Sequence, residues 1–207
     1  MTMERINEWN AEESNRAERS WGHIRKPYTI DMFEFLQSRA KSFLDLGCGF
    51  GRFLEFLKES HEEPNYIGYD SSQAMVARTI DRFPEYALQV FCKNLTQPIT
   101  HPQQGILIHA VLIHVIPSDQ EKILKNVKVA NPKFLTFDIN YLDKQIKNSE
   151  SFVTLTRNSE VKFRMTWQPH DEMTEMVKVL FPNYDLTTKI YKLRAPKKKV
   201  AYFLERH

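Results

Sequence analysis

The chain has 207 residues, of which 42% are hydrophobic, and it carries a formal net charge of +3. The length suits one large α/β domain, the hydrophobic content excludes a disordered chain, and the charge is too small to indicate nucleic-acid binding by itself. The two cysteines, Cys48 and Cys92, exclude a disulfide framework and a cysteine-rich zinc site, so a reducing cytoplasm fits best. Because the first residues are polar and no apolar run reaches about 20 residues, we expect neither a secretory signal nor a membrane span.

Strands and helices are predicted to alternate along the first two thirds of the chain. Residues 1–30 are expected to form a partly helical arm or lid, and apolar residues at helical spacing predict a helix over 26–40, with Pro27 suited to its entry. The further predicted helices are 52–60, 71–83 and 118–131, and either Ser71 or Ser72 is available as the N-cap of the second. The predicted strands are 42–47, 65–70, 86–94, 105–110 and 133–140. This alternation requires a parallel sheet with helices on both faces.

The pattern then changes. Two strands that form a hairpin are predicted over 152–167, followed by a helix over 169–181 and a second hairpin over 184–206. We therefore predict a single α/β domain over 1–207, built on a doubly wound, mostly parallel seven-stranded sheet with an antiparallel C-terminal strand and helices on both faces. The hairpin insert, 143–168, is expected near the substrate pocket.

The stretch "SFLDLGCGFGRFLEFLKE" places three of the six glycines, Gly47, Gly49 and Gly51, between a predicted strand and a predicted helix. Glycine lets the backbone bend and lets a ligand approach more closely than a Cβ would allow. In a doubly wound sheet, this turn lies beyond the carboxyl end of the first strand, where ligands bind. The next strand ends in Asp70, whose carboxylate can accept hydrogen bonds from two ribose hydroxyls. The pattern indicates a nucleoside-bearing cofactor, and a generic strand-to-helix turn is the alternative.

Two residues argue against a dinucleotide. The dinucleotide fingerprint needs glycine at the sixth position from Gly47, where this chain has Arg52. Asp45 precedes the turn, and its negative charge would repel a pyrophosphate but suits a cationic amine.

"DLGCGFG" resembles the first motif of the class I S-adenosylmethionine-dependent methyltransferases, in which an acid and glycines frame the methionine part of the cofactor. "NYIGYDSS" is similar to the second-strand motif of that family. "QGILIHAVLIHVIPSDQEKIL" is similar to its fourth-strand segment, and "KKVAYFLER" to its last strand, so the likeness spans residues 33–207. The resemblance implies S-adenosylmethionine as the cofactor. The cofactor-binding residues that it implies are Asp45, Gly47, Cys48, Gly49, Gly51, Asp70, Ser71, Asn94, Leu95, Ala110 and Val111.

Two positions depart from the family pattern. The turn after the third strand usually offers an acid to the adenine amino group, whereas this chain has Lys93 and Asn94, of which Asn94 can accept through its side-chain carbonyl. The fourth strand, often headed by Asp, begins with Gln104-Gly105. The contact to adenine is therefore the least defined part of the predicted site.

Methyl transfer from a sulfonium is a direct displacement, for which a protein supplies alignment and exclusion of water rather than a universal catalytic residue. His109, at the end of the predicted fourth strand, is the candidate general base, because a histidine pKa can lie near the operating pH; a packed histidine is the alternative. Trp21 and Tyr28 are candidate lid and substrate contacts, or else aromatic residues packed on the sheet. His114 is expected to be a structural or cofactor-side residue, and it joins the candidate substrate contacts.

Asp138 and Tyr141 follow the core of the predicted fifth strand and complete the candidate substrate contacts. Catechol-type methyltransferases bind magnesium with an acid at the end of the fourth strand and an Asp-Asn pair after the fifth. Here Ile139 interrupts the pair, and His109 and Ala110 stand where the first acid would be. No metal site is therefore expected.

Three hypotheses about function follow. The leading one is a methyltransferase that acts on a small molecule, because no added nucleic-acid-binding domain is evident. The lysine-rich stretch "YKLRAPKKKVAYF" leaves an RNA or protein substrate open, with a solvated turn as the alternative reading of the same lysines. The third is a catalytically silent S-adenosylmethionine-binding interaction module. The expected partner is a small molecule, with nucleic acid more weakly supported and no membrane.

Overall fold

The structure is a computed structural model that describes residues 26–142, 150–155, 162–193 and 197–207. The helices of these residues are α1 Pro27–Gln37, α2 Arg52–Lys58, α3 Gln73–Arg82, α4 Pro117–Ala130 and α5 His170–Leu180. The strands are β1 Phe43–Leu46, β2 Tyr66–Asp70, β3 Val90–Cys92, β4 Gly105–Ile108, β5 Phe134–Leu142, β6 Glu150–Leu155, β7 Lys162–Trp167, β8 Tyr184–Lys192 and β9 Lys197–Arg206. Short 3₁₀ helices cover Pro84–Tyr86 and Leu112–His114.

The described strands form one mixed sheet. Parallel pairing gives the order β3-β2-β1-β4-β5. β9 lies antiparallel along the whole of β5, from Phe134↔Glu205 to Leu142↔Lys197, and β8 lies antiparallel to β9. The chain moves outward from β1 to β3 and then returns to the other side of β1 with β4. The strand order therefore reverses between β1 and β4, and a ligand is expected at the carboxyl ends of these two strands.

The hairpin of β6 and β7 extends the sheet beyond the end of β4. β7 runs parallel to β5 and pairs with it at Asn140↔Trp167, whereas β4 pairs with β5 only as far as Ile108. Because β9 occupies the opposite edge of β5 throughout, β7 must lie on the β4 side. Thr166 Oγ1 donates to the Val115 carbonyl at 2.8 Å. The hairpin is thereby attached to the loop that follows β4.

Two hydrophobic layers cover the two faces of the sheet. Alternation along β4 sends Ile106 into the layer under α4 and α5, and Leu107 into the layer under α1, α2 and α3. α1 contributes Met32, Phe33 and Leu36 to the second layer, as the spacing of its apolar residues requires. The side chains that follow Leu107 at intervals of two therefore reach the face that α1 covers.

The predicted fold class is confirmed, and helix α1 begins at Pro27 as expected. The count of seven strands is wrong, because the hairpin insert joins the same sheet and nine strands are described. β3 is shorter than predicted, since Pro84–Tyr86 forms a 3₁₀ turn before it.

Both predicted hairpins are confirmed as antiparallel pairs, although their turns lie outside the described residues. So do residues 1–25, and with them Trp21 and most of the predicted arm. The single-domain organisation and the position of the insert near a substrate pocket stay predictions.

Candidate functional site

The glycine turn, residues 47–51, holds three glycines in left-handed conformations. The φ angle is +87° at Gly47, +57° at Gly49 and +82° at Gly51, a region where other residues carry strain. The turn is fixed to β2, because the backbone N–H groups of Gly47 and Cys48 both donate to the Tyr69 carbonyl, at 2.7 and 2.9 Å. Backbone geometry therefore accounts for the glycines that the sequence places there.

The three glycines differ in their surroundings. An added Cβ at Gly47 would lie 2.1 Å from a Val111 methyl group, and one at Gly51 would lie 2.9 Å from the Phe83 ring. These two glycines are required for packing. An added Cβ at Gly49 would meet no atom of the described residues within 4 Å. The space in front of Gly49 is therefore open to a ligand that contacts the backbone.

Asp70 ends β2 beside the glycine turn, and both of its carboxylate oxygens accept backbone hydrogen bonds. The N–H of Gly49 donates to Oδ2 and the N–H of Ser72 donates to Oδ1, each at 2.9 Å. Burial raises the pKa of Asp70, while these two hydrogen bonds lower it. Ser72, rather than the exposed Ser71, caps α3 by accepting from the Met75 N–H at 3.2 Å. Each Asp70 oxygen keeps a further lone pair for a ligand hydroxyl.

Asp45 lies in β1 behind the glycine turn and is 3% exposed. Its Oδ2 accepts from the Tyr66 hydroxyl at 3.1 Å. Burial raises the pKa of Asp45 to about 7, against the opposing effects of the Tyr66 hydrogen bond and the Arg52 charge. At neutral pH, the ionisation of this carboxyl group would therefore change when a charged ligand binds close to it.

His109 follows β4, and both of its ring nitrogens have partners. Nδ1 lies 3.0 Å from Arg52 Nη2, and Nε2 lies 2.9 Å from Thr29 Oγ1. A guanidinium only donates, so Nδ1 accepts, and the neutral ring carries its proton on Nε2 toward Thr29. Burial and the Arg52 charge lower the pKa of His109 to about 3. The expectation of a pKa near the operating pH is therefore wrong, and a base at this position would first have to release Arg52.

Asp138 lies inside β5 with 0% exposure, so its predicted position after that strand is wrong. It forms an ion pair with Lys199 of β9, and its Oδ1 accepts from the Ala110 N–H at 2.6 Å. Burial raises the pKa of Asp138, but the Lys199 charge and the hydrogen bonds outweigh burial, and the net shift is downward. Ala110 has a φ of +58°. The carboxylate therefore supports the strained turn after β4, and its contact with a substrate stays a prediction.

α1 covers these polar groups. The Tyr28 ring stacks on the His109 ring, with centroids 5.8 Å apart and planes at 18°. Lys199 Nζ lies 5.4 Å from the Tyr28 centroid, and Phe33 meets His109 edge-on at 5.5 Å. Burial raises the pKa of Tyr28 to about 12, so the phenol is neutral. Of the two interpretations of Tyr28, the structure favours the packed aromatic residue, which is half-buried.

The remaining predicted cofactor residues lie at the same edge of the sheet. Ala110 and Val111 are half-buried in the turn after β4, and Leu95 packs partly buried against the core. Asn94 is exposed beyond β3, and its Oδ1 accepts from both the N–H and the hydroxyl of Thr96 at 2.9 Å. The carbonyl that was expected to accept from adenine therefore already has two donors, and the adenine contact stays a prediction.

The predicted substrate contacts do not all come together. Tyr141 and Asp138 are three residues apart in one strand, so their side chains lie on opposite faces of the sheet. The Tyr141 ring instead lies 6.1 Å from the His170 ring and 5.8 Å from Lys198 Nζ. His114 is half-buried at the end of the 3₁₀ helix after β4.

Sequence reasoning missed Arg52 and Lys199 as residues of the site. Arg52 is the first residue of α2, a position that the helix dipole makes unfavourable for a cation. This unfavourable position could have indicated that Arg52 has a functional role. Lys199 shares the buried face of β9 with Ala201, so the strand period could have identified it.

No group of three or more His, Cys, Asp or Glu side chains is arranged to hold a metal ion in the part of the chain that the structure describes. Within the same residues, no helix combines the length and the apolar character that crossing a membrane would require.

Residues 44–130 match a family model described as a methyltransferase domain. A comparison with curated proteins found no match. Among solved structures, an S-adenosylmethionine-dependent methyltransferase from Clostridium acetobutylicum ATCC 824 aligns with a TM-score of 0.65 and 15% identity, over 93% of this chain and 96% of that one. Magnesium protoporphyrin IX methyltransferase (ChlM) from Synechocystis PCC 6803, with bound SAH, aligns with a TM-score of 0.65 and 14% identity, over 96% of each chain. Burkholderia thailandensis 1,6-didemethyltoxoflavin-N1-methyltransferase aligns with a TM-score of 0.66 and 12% identity, over 95% of this chain and 86% of that one. These likenesses show that the fold is shared.

Proposed function

We propose that the chain is a class I methyltransferase that binds S-adenosylmethionine and methylates a small molecule, because residues 44–130 match a methyltransferase family model and the fold is shared with methyltransferases. The observation that carries the proposal is the open space in front of Gly49, directly beside the buried Asp70 carboxylate. A nucleoside-bearing ligand needs a backbone that it can approach and a carboxylate that accepts from sugar hydroxyls. The two features lie together at the reversal of strand order, where ligands bind in this architecture.

The residues at this position fit the charges of the cofactor. Asp70 would hold the ribose, the backbone at Gly49 would face the sulfur-bearing chain, and Asp45 would offset the ammonium group. S-adenosylmethionine supplies a methyl group on a positively charged sulfur, which an acceptor lone pair displaces in line. An ammonium group near Asp45 would favour the ionised form of that acid, because opposite charges stabilise each other in a buried site. The pKa of about 7 leaves the carboxyl group ready to ionise at neutral pH.

The chain itself would align the acceptor and exclude water. α1 closes one side through Tyr28, and the end of β7 lies above β4, where Trp167 and Gln168 are 6% and 4% exposed. A direct displacement depends on orientation, and a dry, confined site supplies it. Elements that close over the end of β4 from two sides favour an acceptor that can be enclosed. This supports a small molecule as the substrate.

The lysines near the last hairpin give little support to nucleic-acid binding. Lys189 forms an ion pair with Asp31, Lys199 forms one with Asp138, and Lys198 lies over an aromatic ring of the same chain. Binding to a phosphate backbone needs cations that are free to neutralise phosphates. The two ion pairs favour a small-molecule substrate over RNA, because a lysine that is paired with a carboxylate is less available to a phosphate.

Label transfer tests the proposal. The protein would be incubated with methyl-labelled S-adenosylmethionine and, in separate reactions, with a host metabolite extract, total RNA and a protein extract, followed by mass spectrometry. Label in the metabolite fraction supports the proposal, and label in RNA or protein replaces it with the second hypothesis. Binding of the cofactor without transfer in any fraction would indicate a silent binding module. Absence of S-adenosylmethionine binding by calorimetry would refute the proposed function altogether.

A further inference from the structure

Arg52 forms no direct ion pair with the described residues. Its Nη2 donates to the neutral His109 ring at 3.0 Å, and its guanidinium carbon lies 5.5 Å from the Phe50 centroid. No carboxylate oxygen of the described residues lies within 4.0 Å of the guanidinium. Burial lowers the pKa of Arg52, and the nearby groups of Tyr28, Asp45, Asp138 and Glu55 oppose this effect only in part, so the guanidinium is largely withdrawn from water without an acid in direct contact. Cations in such surroundings are normally paired, because their desolvation is unfavourable.

The position of Arg52 indicates which ligand would supply the missing anion. Asp70 lies at the end of β2 and His109 just after β4, on opposite sides of β1 in the strand order. A nucleoside whose sugar is bound at Asp70 would extend its 5′ substituent across the glycine turn toward β4. The hydrogen bond to His109 holds the Arg52 guanidinium at that point.

Resting on the proposed function, we infer that the Arg52 guanidinium binds the α-carboxylate of the cofactor's methionine part, and that His109 is a positioning residue that holds the guanidinium in place. Asp45 lies on the same side of the sheet. The Asp45 carboxylate would therefore face the ammonium group of the methionine part, and the Arg52 guanidinium would face its carboxylate. A guanidinium keeps four further N–H donors after the bond to His109, enough for a bidentate contact with a carboxylate.

His109 suits this positioning role for a specific reason. The Nδ1 lone pair can accept from Arg52 only while the ring proton is on Nε2. Thr29 Oγ1, 2.9 Å from Nε2, accepts the hydrogen bond from that N–H and so stabilises this tautomer. Thr29 is 2% exposed, and the stacked Tyr28 ring restricts rotation of the imidazole. The tautomer and the orientation of His109 are both fixed by α1.

Decarboxylated S-adenosylmethionine tests the inference, because it lacks only the carboxylate. We expect the wild-type protein to bind S-adenosylmethionine about 10-fold to 100-fold more tightly than the decarboxylated compound, the ratio typical of a charged hydrogen bond. Arg52→Gln should reduce this ratio to about threefold or less, and Arg52→Lys should give an intermediate ratio. Arg39→Gln, in the exposed segment just after α1, is the matched control and should keep the wild-type ratio. Binding would be measured by calorimetry, and circular dichroism would confirm that each variant is folded.

His109 has its own variants. His109→Asn places an amide oxygen near the position of Nδ1 and should keep most of the ratio, whereas His109→Leu should lose it. The affinity for 5′-methylthioadenosine, which has no amino-acid part, should not change in either variant. A ratio that stays unchanged in Arg52→Gln overturns the inference, and a raised KM for the acceptor in that variant would assign the guanidinium to an acceptor anion instead. If the wild-type protein binds neither compound, the proposed function itself fails, so the two failures are distinguishable.

Discussion

Replacing Asp70 by alanine would remove the acceptor of two backbone hydrogen bonds and the group that is expected to hold the ribose. Hydrogen bonds to charged groups contribute about 1.5–3 kcal/mol each. Loss of the bonds from Gly49 and Ser72 should lower the free energy of unfolding by about 1–3 kcal/mol, because two buried N–H groups lose their acceptor while removal of the buried acid offsets part of that loss. The dissociation constant for S-adenosylhomocysteine should rise about 10-fold to 150-fold, since the ribose loses a charged acceptor. Urea unfolding and calorimetry would measure the two effects on the same sample.

Asp70→Asn separates the two effects. The amide keeps one oxygen and can satisfy only one of the two N–H groups, so about half of the stability loss should return, while the charged ribose contact stays lost. Asp185→Asn is the control, because Asp185 is exposed and pairs only at the surface, 3.4 Å from His207, so neither stability nor affinity should change. A folded Asp70→Ala protein that binds S-adenosylhomocysteine with wild-type affinity would refute the ribose role.

Three further predictions concern neighbouring groups. Gly49→Val should leave a folded protein, with about 1–2 kcal/mol of strain from its positive φ, yet abolish cofactor binding by calorimetry. Gly47→Val, whose Cβ would lie 2.1 Å from a neighbouring methyl group, should instead lower the melting temperature markedly. Equal changes in melting temperature for Gly47→Val and Gly49→Val would contradict the view that Gly47 is needed for packing and Gly49 for the ligand. Asp45 ionises near pH 7 in the folded protein but near its ordinary pKa of about 3.9 in the unfolded chain, so the free energy of unfolding should decrease as the pH rises from about 4 to about 7. Urea unfolding should therefore give a lower stability at pH 8 than at pH 5, and Asp45→Asn should lack this difference. Lys199→Met should lower the free energy of unfolding by about 3–5 kcal/mol, since the Asp138 charge stays buried without its partner. Adding Asp138→Asn should restore part of this loss, and a lack of recovery in urea unfolding would argue against the ion pair as its cause.

The sequence carried enough information to predict the glycine turn and its acid, because both depend on local patterns. Gly47, Gly49 and Gly51 need positive φ within five residues, and Asp70 directly ends the adjacent strand. Strand and helix periods likewise placed β1, β2 and α1 to within a few residues.

The chemistry of the acceptor side depends instead on contacts between residues far apart in the chain. Thr29 and His109 are 80 positions apart, and Asp138 and Lys199 are 61 positions apart. The pKa of His109 is lowered by burial and by the charge of an arginine 57 residues earlier, which no local pattern connects to it. The expectation of a histidine pKa near the operating pH used the residue type and the strand end, without the partners that burial adds.

The placement of β9 between β5 and β8 has a consequence for biosynthesis. Among the described strands, β8 pairs with β9 alone, although it precedes β9 in the chain. As the polypeptide leaves the ribosome, β5 therefore presents a bare hydrogen-bonding edge until residues 197–206 have emerged, and nascent β8 has nowhere to dock. Such an edge invites pairing with other nascent chains, so the yield of native protein should depend on chaperones that shield this edge during translation.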